Sequence, residues 1–121
     1  MLIYDINSSE SFEDLKFWLY SLETHFGEKN IVIPIVIVGN KVDLGDMREI
    51  EKNNAIKFAD EYNYKYFETS AKTGEGVDDA VRELVKQILA NKEHYVEETG
   101  EKKSISIQSN KGSNQKKKGC C

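Results

Sequence analysis

Two short segments of this 121-residue chain hold polar side chains whose types and spacing could bind a ligand. The first is Asn40-Lys41-Val42-Asp43 and the second is Glu68-Thr69-Ser70-Ala71-Lys72, with 26 residues between Asp43 and Ser70. An ionised carboxylate such as that of Asp43 can accept two adjacent N–H donors at once, and charge-assisted hydrogen bonds are strong. A second interpretation stays open for each segment alone. Asn, Lys and Asp are common turn residues, and Ser70 could cap a helix that begins near Gly76.

The hydrophobic pattern around these segments predicts alternating strands and helices. We predict strands at residues 2–6, 31–38 and 65–68, the second buried on both faces because it lacks polar alternation, with Pro34 near its start. A helix follows each strand, since apolar residues recur at helical spacing. These residues are Phe12, Leu15, Leu19, Leu22 and Phe26; Ala55, Phe58, Ala59 and Tyr62; and Val77, Ala80, Val81, Leu84, Val85, Ile88 and Leu89. The order predicts a parallel α/β sheet, in which ligands lie beyond the carboxyl ends of the strands.

The two polar segments together resemble the guanine-recognition loops of small Ras-like GTPases. Their Asn-Lys-x-Asp and Ser-Ala-Lys elements read NKVD at 40–43 and SAK at 70–72, in the same order and at strand ends. Within that superfamily the chain most resembles the Rab branch. The residues that carry this resemblance are LIYDI and SSESF near the start, Trp18 in the next helix, VIVGNKVDL, YFETSAK and the final two cysteines. By its helical spacing Trp18 is also expected in the core.

The resemblance implies that guanine is recognised by both of its hydrogen-bonding edges. Asp43 would accept the N1 and N2 donors of guanine, and the backbone N–H of Ala71 would donate to O6. Adenine lacks this donor pair, so it would leave the carboxylate unpaired at a cost of a few kcal/mol.

The other residues of the two loops would position the base and Asp43. Asn40 would bridge the loops and reach the other edge of the base. Lys41 and Lys72 would lay their methylene stems on the two faces of the base, as amphipathic side chains can. Ser70 would orient Asp43.

The fold that the resemblance implies is an α/β fold of the P-loop NTPase kind, a parallel sheet with helices on both faces. This chain would hold its last three strand–helix units, in a partial domain at residues 1–92. The G-x-x-x-x-G-K-[ST] P-loop, the switch segments and a D-x-x-G do not occur in this sequence. Those elements position phosphates, Mg²⁺ and the attacking water. We therefore expect no catalytic and no metal-binding residues in this chain, although the full-length family uses GTP or GDP with Mg²⁺.

The missing elements also bear on stability. The strand at residues 2–6 would lose a neighbour and become an exposed apolar edge. We therefore expect the 121-residue polypeptide to be marginally stable and to bind GTP weakly or not at all. An incomplete gene model or a fragment would explain the truncation.

The C-terminal residues have a different composition from the rest. Residues 1–90 carry a net charge of −7, whereas residues 91–121 carry +3. We predict a disordered basic tail at 93–121, because so few apolar residues cannot offset chain entropy. Cys120 and Cys121 resemble the double-cysteine signal of Rab proteins, in which both thiols are geranylgeranylated, although a lysine run with two incidental thiols stays an alternative.

The resemblance implies a GTP/GDP switch in intracellular vesicle traffic. Its partners would be exchange factors, GTPase-activating proteins, escort or GDI proteins and effectors. It would be lipid-anchored at the cytoplasmic face of an intracellular membrane and would cycle with the cytosol. The alternative is a truncated, non-catalytic prenylated remnant that acts through partner binding. The net charge of −4 argues against nucleic-acid binding, and His25 and His94 lack zinc-ligand spacing.

Overall fold

The structure is a computed structural model that describes residues 1–27 and 32–92. Three strands alternate with three α-helices and one short 3₁₀ helix. The elements are β1 (Leu2–Asp5), α1 (Ser9–Gly27), β2 (Val36–Asn40), the 3₁₀ helix (Val42–Met47), α2 (Lys52–Glu61), β3 (Lys65–Thr69) and α3 (Val77–Ala90). The predicted alternation of strands and helices is confirmed.

The strands form one parallel sheet in the order β1-β2-β3. Its register brings the ends of the strands together, because Asp5 pairs with Asn40, and Asn40 pairs with Thr69. Side chains alternate between the two faces of a strand. The polar residues Asp5, Asn40 and Thr69 are the last residues of the three strands, so they lie together at the carboxyl end of the sheet, where the two polar segments begin.

The bounds of β2 differ from the prediction. We predicted a strand at residues 31–38, whereas β2 runs from Val36 to Asn40. Pro34 has no N–H to donate and lies before the strand, and pairing begins at Val36 with Lys65 of β3 and at Ile37 with Leu2 of β1. Gly39 and Asn40, which lie beyond the predicted strand, continue it because both pair with β1 and β3.

Helices cover both faces of the sheet. One face packs on α1 and α2, in a core of Tyr4, Ile6, Leu15, Leu19, Ile35, Ile37, Ala55, Phe58 and Ala59. The other face packs on α3, through Val36, Val38 and Ala80, with Phe67 and Leu84 beside them. This arrangement is the two-faced α/β sheet that the resemblance implied.

One expectation about burial is wrong, because Trp18 is 55% exposed instead of lying in the core. Trp18 lines a groove with Leu2 and Ile3 beside β1, which has a partner strand on one side only among the described residues. The apolar stripe of α3 is also largely exposed: Val81, Val85, Ile88 and Leu89 are 44% to 63% exposed, and only Ala80 is buried. The reason for α3 is the width of the sheet, because among the described residues only β2 and β3 contribute to the core under this helix.

The first strand forms an edge of the sheet. β1 pairs with β2 alone among the described strands, and Ile3 is 59% exposed. No helix in the described part of the chain is long and apolar enough to cross a membrane.

Candidate functional site

The first loop of the site turns sharply as it leaves β2. Lys41 adopts a left-handed backbone conformation, with φ of 71°, and the N–H of Leu44 donates to the Lys41 carbonyl at 2.9 Å. This turn opens the 3₁₀ helix and brings Asp43 back over the end of the sheet. A non-glycine residue in this conformation is uncommon and marks a backbone that its surroundings hold in place.

The second loop is closed by its own backbone. The N–H of Ser70 donates to the Glu75 carbonyl at 2.9 Å, and the N–H of Gly74 donates to the Ser70 carbonyl at 2.8 Å. Gly76 has a φ of 69°, and a Cβ placed there would lie 2.1 Å from the Glu68 carbonyl oxygen. Only glycine fits at this point, so the loop can pass close to β3 before α3 begins.

Asn40 links the two loops. Its Oδ1 accepts hydrogen bonds from Thr69 Oγ1 at 3.1 Å and from the backbone N–H of Ala71 at 3.0 Å. One amide oxygen at the end of β2 therefore holds the start of the second loop, which places Ala71 and Lys72 beside the first loop.

Ser70 anchors the carboxylate of Asp43. The Ser70 hydroxyl donates to Asp43 Oδ1 at 2.6 Å, and Ser70 Oγ accepts the N–H of Thr73 at 3.1 Å. Ser70 is fully buried whereas Asp43 is exposed, so one carboxylate oxygen is fixed and the group still faces solvent. The alternative role for Ser70 is wrong, because the residue at the N-cap of α3 is Gly76.

The β1 end of the site adds an acidic residue that sequence reasoning did not assign. The ammonium of Lys41 forms an ion pair with Asp5 Oδ2, and Asp5 Oδ1 accepts the N–H of Asn7 at 2.9 Å. Burial alone would raise the pKa of the Asp5 carboxyl, but the bonds from Lys41 and Asn7 outweigh burial and hold that pKa below its usual value. The position of Asp5 at a strand end was the available signal.

The first loop is also fastened to the start of α1. The N–H and the hydroxyl of Ser9 donate to Glu49 Oε2 at 2.9 and 3.0 Å. The backbone N–H groups of Glu49 and Ile50 donate to the Ile6 carbonyl at 2.9 and 3.1 Å. All three strand ends thus contribute contacts to one site.

The site brings together five of the six residues that the sequence assigned to base recognition, namely Asn40, Lys41, Asp43, Ser70 and Ala71, and the sixth, Lys72, is the exposed residue that follows Ala71 on the second loop. It presents an exposed carboxylate, two lysines and a backbone N–H group within two linked loops. Such a set can accept two N–H donors of a planar ligand and cover the faces of that ligand with lysine stems. The predicted roles toward guanine stay predictions.

Comparison with known proteins identifies the class to which this parallel sheet and its paired loops belong. A sequence model of the Ras family matches residues 1–90, so the chain belongs to the Ras family. Its relatives are Rab proteins. Human Ras-related protein Rab-27B is 39% identical over 82% of this chain and 44% of the relative. Rab-18-B of Danio rerio is 40% identical over 74% of this chain and 42% of the relative, and human Rab-8B is 36% identical over the same shares. The chain spans less than half the length of these curated relatives.

Proposed function

We propose that this chain is the guanine-recognising part of a Rab-like small GTPase, a GTP/GDP switch in intracellular vesicle traffic. The observation that carries the proposal is the 2.6 Å hydrogen bond from Ser70 to Asp43. It joins the Asn-Lys-x-Asp and Ser-Ala-Lys elements, 26 residues apart, in one site at the carboxyl ends of the strands. In open α/β sheets, ligands bind beyond these ends.

In the proposed complex, Asp43 accepts the N1 and N2 donors of guanine. The anchored Oδ1 sets the orientation of the carboxylate, so little side-chain entropy is lost on binding. The Ala71 N–H donates to Asn40 in this structure, and on binding it would share its hydrogen bond with guanine O6. Adenine would place its amino group, a donor, against the Ala71 N–H, which is also a donor, and it has no donor pair for Asp43. These two mismatches disfavour adenine by a few kcal/mol.

The lysines would cover the two faces of the base. Lys72 is exposed on the second loop, and its methylene stem is available to one face. Lys41 is tethered by its ion pair to Asp5, which limits the directions that its stem can take. The proposal therefore gives Asp5 the role of aligning Lys41 along the edge of the sheet.

Within residues 1–27 and 32–92 the side chains do not fit Mg²⁺ or the phosphates. No three His, Cys, Asp or Glu side chains converge within residues 1–27 and 32–92 to form a metal site. The P-loop sequence that supplies phosphate and Mg²⁺ contacts in this family does not occur in the 121 residues. Hydrolysis is therefore not assigned to any residue here, and the proposed contribution of the chain is base recognition.

Membrane attachment through Cys120 and Cys121 is part of the proposal. Both lie outside the described residues, as does the whole predicted tail from residue 93. One lipid chain attaches a protein to a membrane only marginally, whereas two attach it firmly. Lys116, Lys117 and Lys118 would each add roughly 1 kcal/mol of attraction to an anionic leaflet. A lipid-anchored protein of this kind would work with the escort, exchange, GTPase-activating and effector proteins of its family.

The test of base recognition is a titration of the ¹⁵N-labelled 121-residue chain with GDP, with ADP as the matched control. We expect weak binding, and amide shifts at Ala71 and Thr73 that ADP does not produce. Equal responses to GDP and ADP, or none, would contradict the proposal. Micromolar binding would instead contradict the view that phosphate recognition lies outside these residues.

The second candidate is a prenylated remnant that does not cycle nucleotide and acts through partner binding. The observation that favours it is the set of exposed apolar residues on α3. Reading the coding DNA upstream of Met1 discriminates the two. An in-frame G-x-x-x-x-G-K-[ST] supports the switch, and its absence supports the remnant.

A further inference from the structure

A partly buried polar cluster lies under the first loop, on the face of the sheet that packs on α1 and α2. The hydroxyls of Tyr4 and Tyr66 meet at 2.9 Å beside Gly39. A Cβ on Gly39 would lie 2.6 Å from the Tyr66 oxygen and 2.9 Å from the Tyr4 oxygen. The two hydroxyls thus occupy the space that a side chain at residue 39 would need.

The protons of this cluster have one consistent direction. Tyr66 O–H donates to Glu68 Oε1 at 3.1 Å, and since a hydroxyl has one proton, Tyr4 must donate to Tyr66. Arg48 donates to the same Glu68 oxygen at 2.8 Å and to the Ile50 carbonyl at 3.1 Å. The chain of donors therefore ends at a carboxylate that is 16% exposed, and the Lys52 ammonium lies 3.9 Å from its other oxygen, Oε2.

The cluster connects the same two segments that form the candidate site. Gly39 directly precedes Asn40, and Glu68 directly precedes Thr69 and Ser70. Arg48 directly follows the 3₁₀ helix that holds Asp43. By the alternation of side chains along a strand, Asn40 and Thr69 meet on the α3 face, whereas the tyrosines and Glu68 lie on the opposite face. The two loops are therefore linked from both faces of the sheet.

We propose that the Tyr66 hydroxyl is a positioning group for base recognition, which acts by fixing the Glu68 carboxylate and, through it, Arg48 and both loops. The inference rests on the proposed function and deepens it. Phenylalanine would fill almost the same volume as tyrosine, so packing does not require the oxygen. A buried hydroxyl is costly unless it is bonded, and a fully bonded network fixes one arrangement of its members.

The experiment compares three hydroxyl deletions in the full 121-residue chain. Tyr66→Phe removes the hydroxyl that donates to Glu68. Tyr4→Phe keeps that hydroxyl and removes only the hydrogen bond that Tyr4 donates to it. Tyr64→Phe is the matched control, because Tyr64 is also partly buried and its hydroxyl makes no hydrogen bond among the described residues. Amide hydrogen exchange at Ala71 and Thr73 reports the order of the second loop, and exchange in α2 and β2 reports global stability.

We expect Tyr66→Phe to speed exchange at Ala71 and Thr73 by about five-fold relative to α2 and β2, the size of one hydrogen bond. GDP affinity should weaken by a similar factor. Tyr4→Phe should have a smaller effect and Tyr64→Phe none. Equal acceleration of all amides would overturn the positioning role, as would unchanged exchange in the Tyr66→Phe variant. If the Tyr66→Phe variant does not fold, Tyr4→Phe is compared with Tyr64→Phe. Faster exchange at Ala71 and Thr73 in Tyr4→Phe alone supports the positioning role, and equal exchange in the two variants overturns it.

The two proposals can fail separately. A wild-type chain that does not respond to GDP contradicts base recognition, while the exchange measurements still decide whether Tyr66 orders the loop. A wild-type chain that binds GDP with normal loop exchange in Tyr66→Phe keeps base recognition and overturns the positioning role.

Discussion

Asp43 shows how a single exposed carboxylate can be prepared for recognition. A surface aspartate normally samples several rotamers, and ordering it costs free energy when a ligand binds. The buried Ser70 hydroxyl anchors Oδ1, and the left-handed Lys41 sets the backbone that leads to it. The residue is therefore oriented before any ligand arrives.

Replacing Asp43 by asparagine should change which base binds. Asparagine offers one acceptor and an amide donor, so it loses the paired acceptors for guanine N1 and N2 and gains a donor for the 2-carbonyl of xanthine. We expect Asp43→Asn to bind XDP better than GDP, with a loss of GDP affinity of about ten-fold or more. Competitive titration of the two nucleotides measures this. Unchanged GDP affinity would refute the role of Asp43, and Asp46→Asn is the control.

The ion pair of Asp5 with Lys41 should stabilise the fold in a pH-dependent way. Because the folded pKa of Asp5 is lowered, the contribution is present above the unfolded value of about 3.9 and is lost as the pH falls through the folded pKa. The pair is partly exposed, so we expect a contribution below about 1 kcal/mol. Denaturant unfolding of wild type and Asp5→Asn should differ at pH 7, and the difference should shrink as the pH falls below the unfolded value of about 3.9. Asp14→Asn, on the exposed side of α1, is the control, and a pH-independent difference would contradict the assignment.

At the level of elements, the loop between β3 and α3 depends on two glycines that have different surroundings. Gly74 and Gly76 both have positive φ, but a Cβ at residue 74 would meet nothing within 4 Å. At residue 76 it would collide with the Glu68 carbonyl. The close approach at Gly76 is what allows α3 to start directly beside the strand end.

Alanine substitution should separate these two positions. We expect Gly74→Ala to lower the free energy of unfolding by about 1 kcal/mol, from the backbone conformation alone. Gly76→Ala should lower it by about 3 kcal/mol or more, enough to unfold a marginally stable chain, because the backbone of β3 must also move. Denaturant unfolding measures the loss in Gly74→Ala, and far-UV circular dichroism shows whether Gly76→Ala is folded at all. Equal losses would show that the loop relaxes freely around residue 76.

The order of the elements and the meeting of the two loops could be predicted from the sequence, and the details that depend on tertiary contacts could not. Periodicity shows that Val81 and Val85 share a face of α3, but not whether another element covers that face. Pro34 could be placed near a strand end, but the start of β2 at Val36 depends on its pairing with Lys65 of β3. The contact between Lys41 and Asp5 depends on the sheet register, which residue spacing does not reveal.

At the scale of the whole molecule, the acidic residues and the proposed lipid attachment sites lie in different parts of the chain. The net −7 of residues 1–90 would be repelled by an anionic membrane, whereas residues 91–121 carry +3 and end in Cys120 and Cys121. The proposed arrangement therefore places only the C-terminal end against the membrane. Residues 93–121, outside the described part, would set the distance between the membrane and the folded part.

Removing the two terminal thiols should release the protein from membranes. We expect the double variant Cys120→Ser with Cys121→Ser to be cytosolic, and each single variant to be distributed between membrane and cytosol, because one lipid chain binds marginally. Fractionation of cells that express the full-length protein measures this distribution. Membrane association that persists in the double variant would contradict lipid attachment at these residues.

Trp18 is the only tryptophan in the sequence, and it lines a groove with Met1, Leu2 and Ile3 at the free edge of β1. It lies about 13 Å along α1 from the helix start that faces the candidate site. The protein therefore carries an intrinsic optical reporter of one surface. Its indole emission should move to shorter wavelength when a strand or helix covers the edge of β1, and should stay constant when a base binds at Asp43.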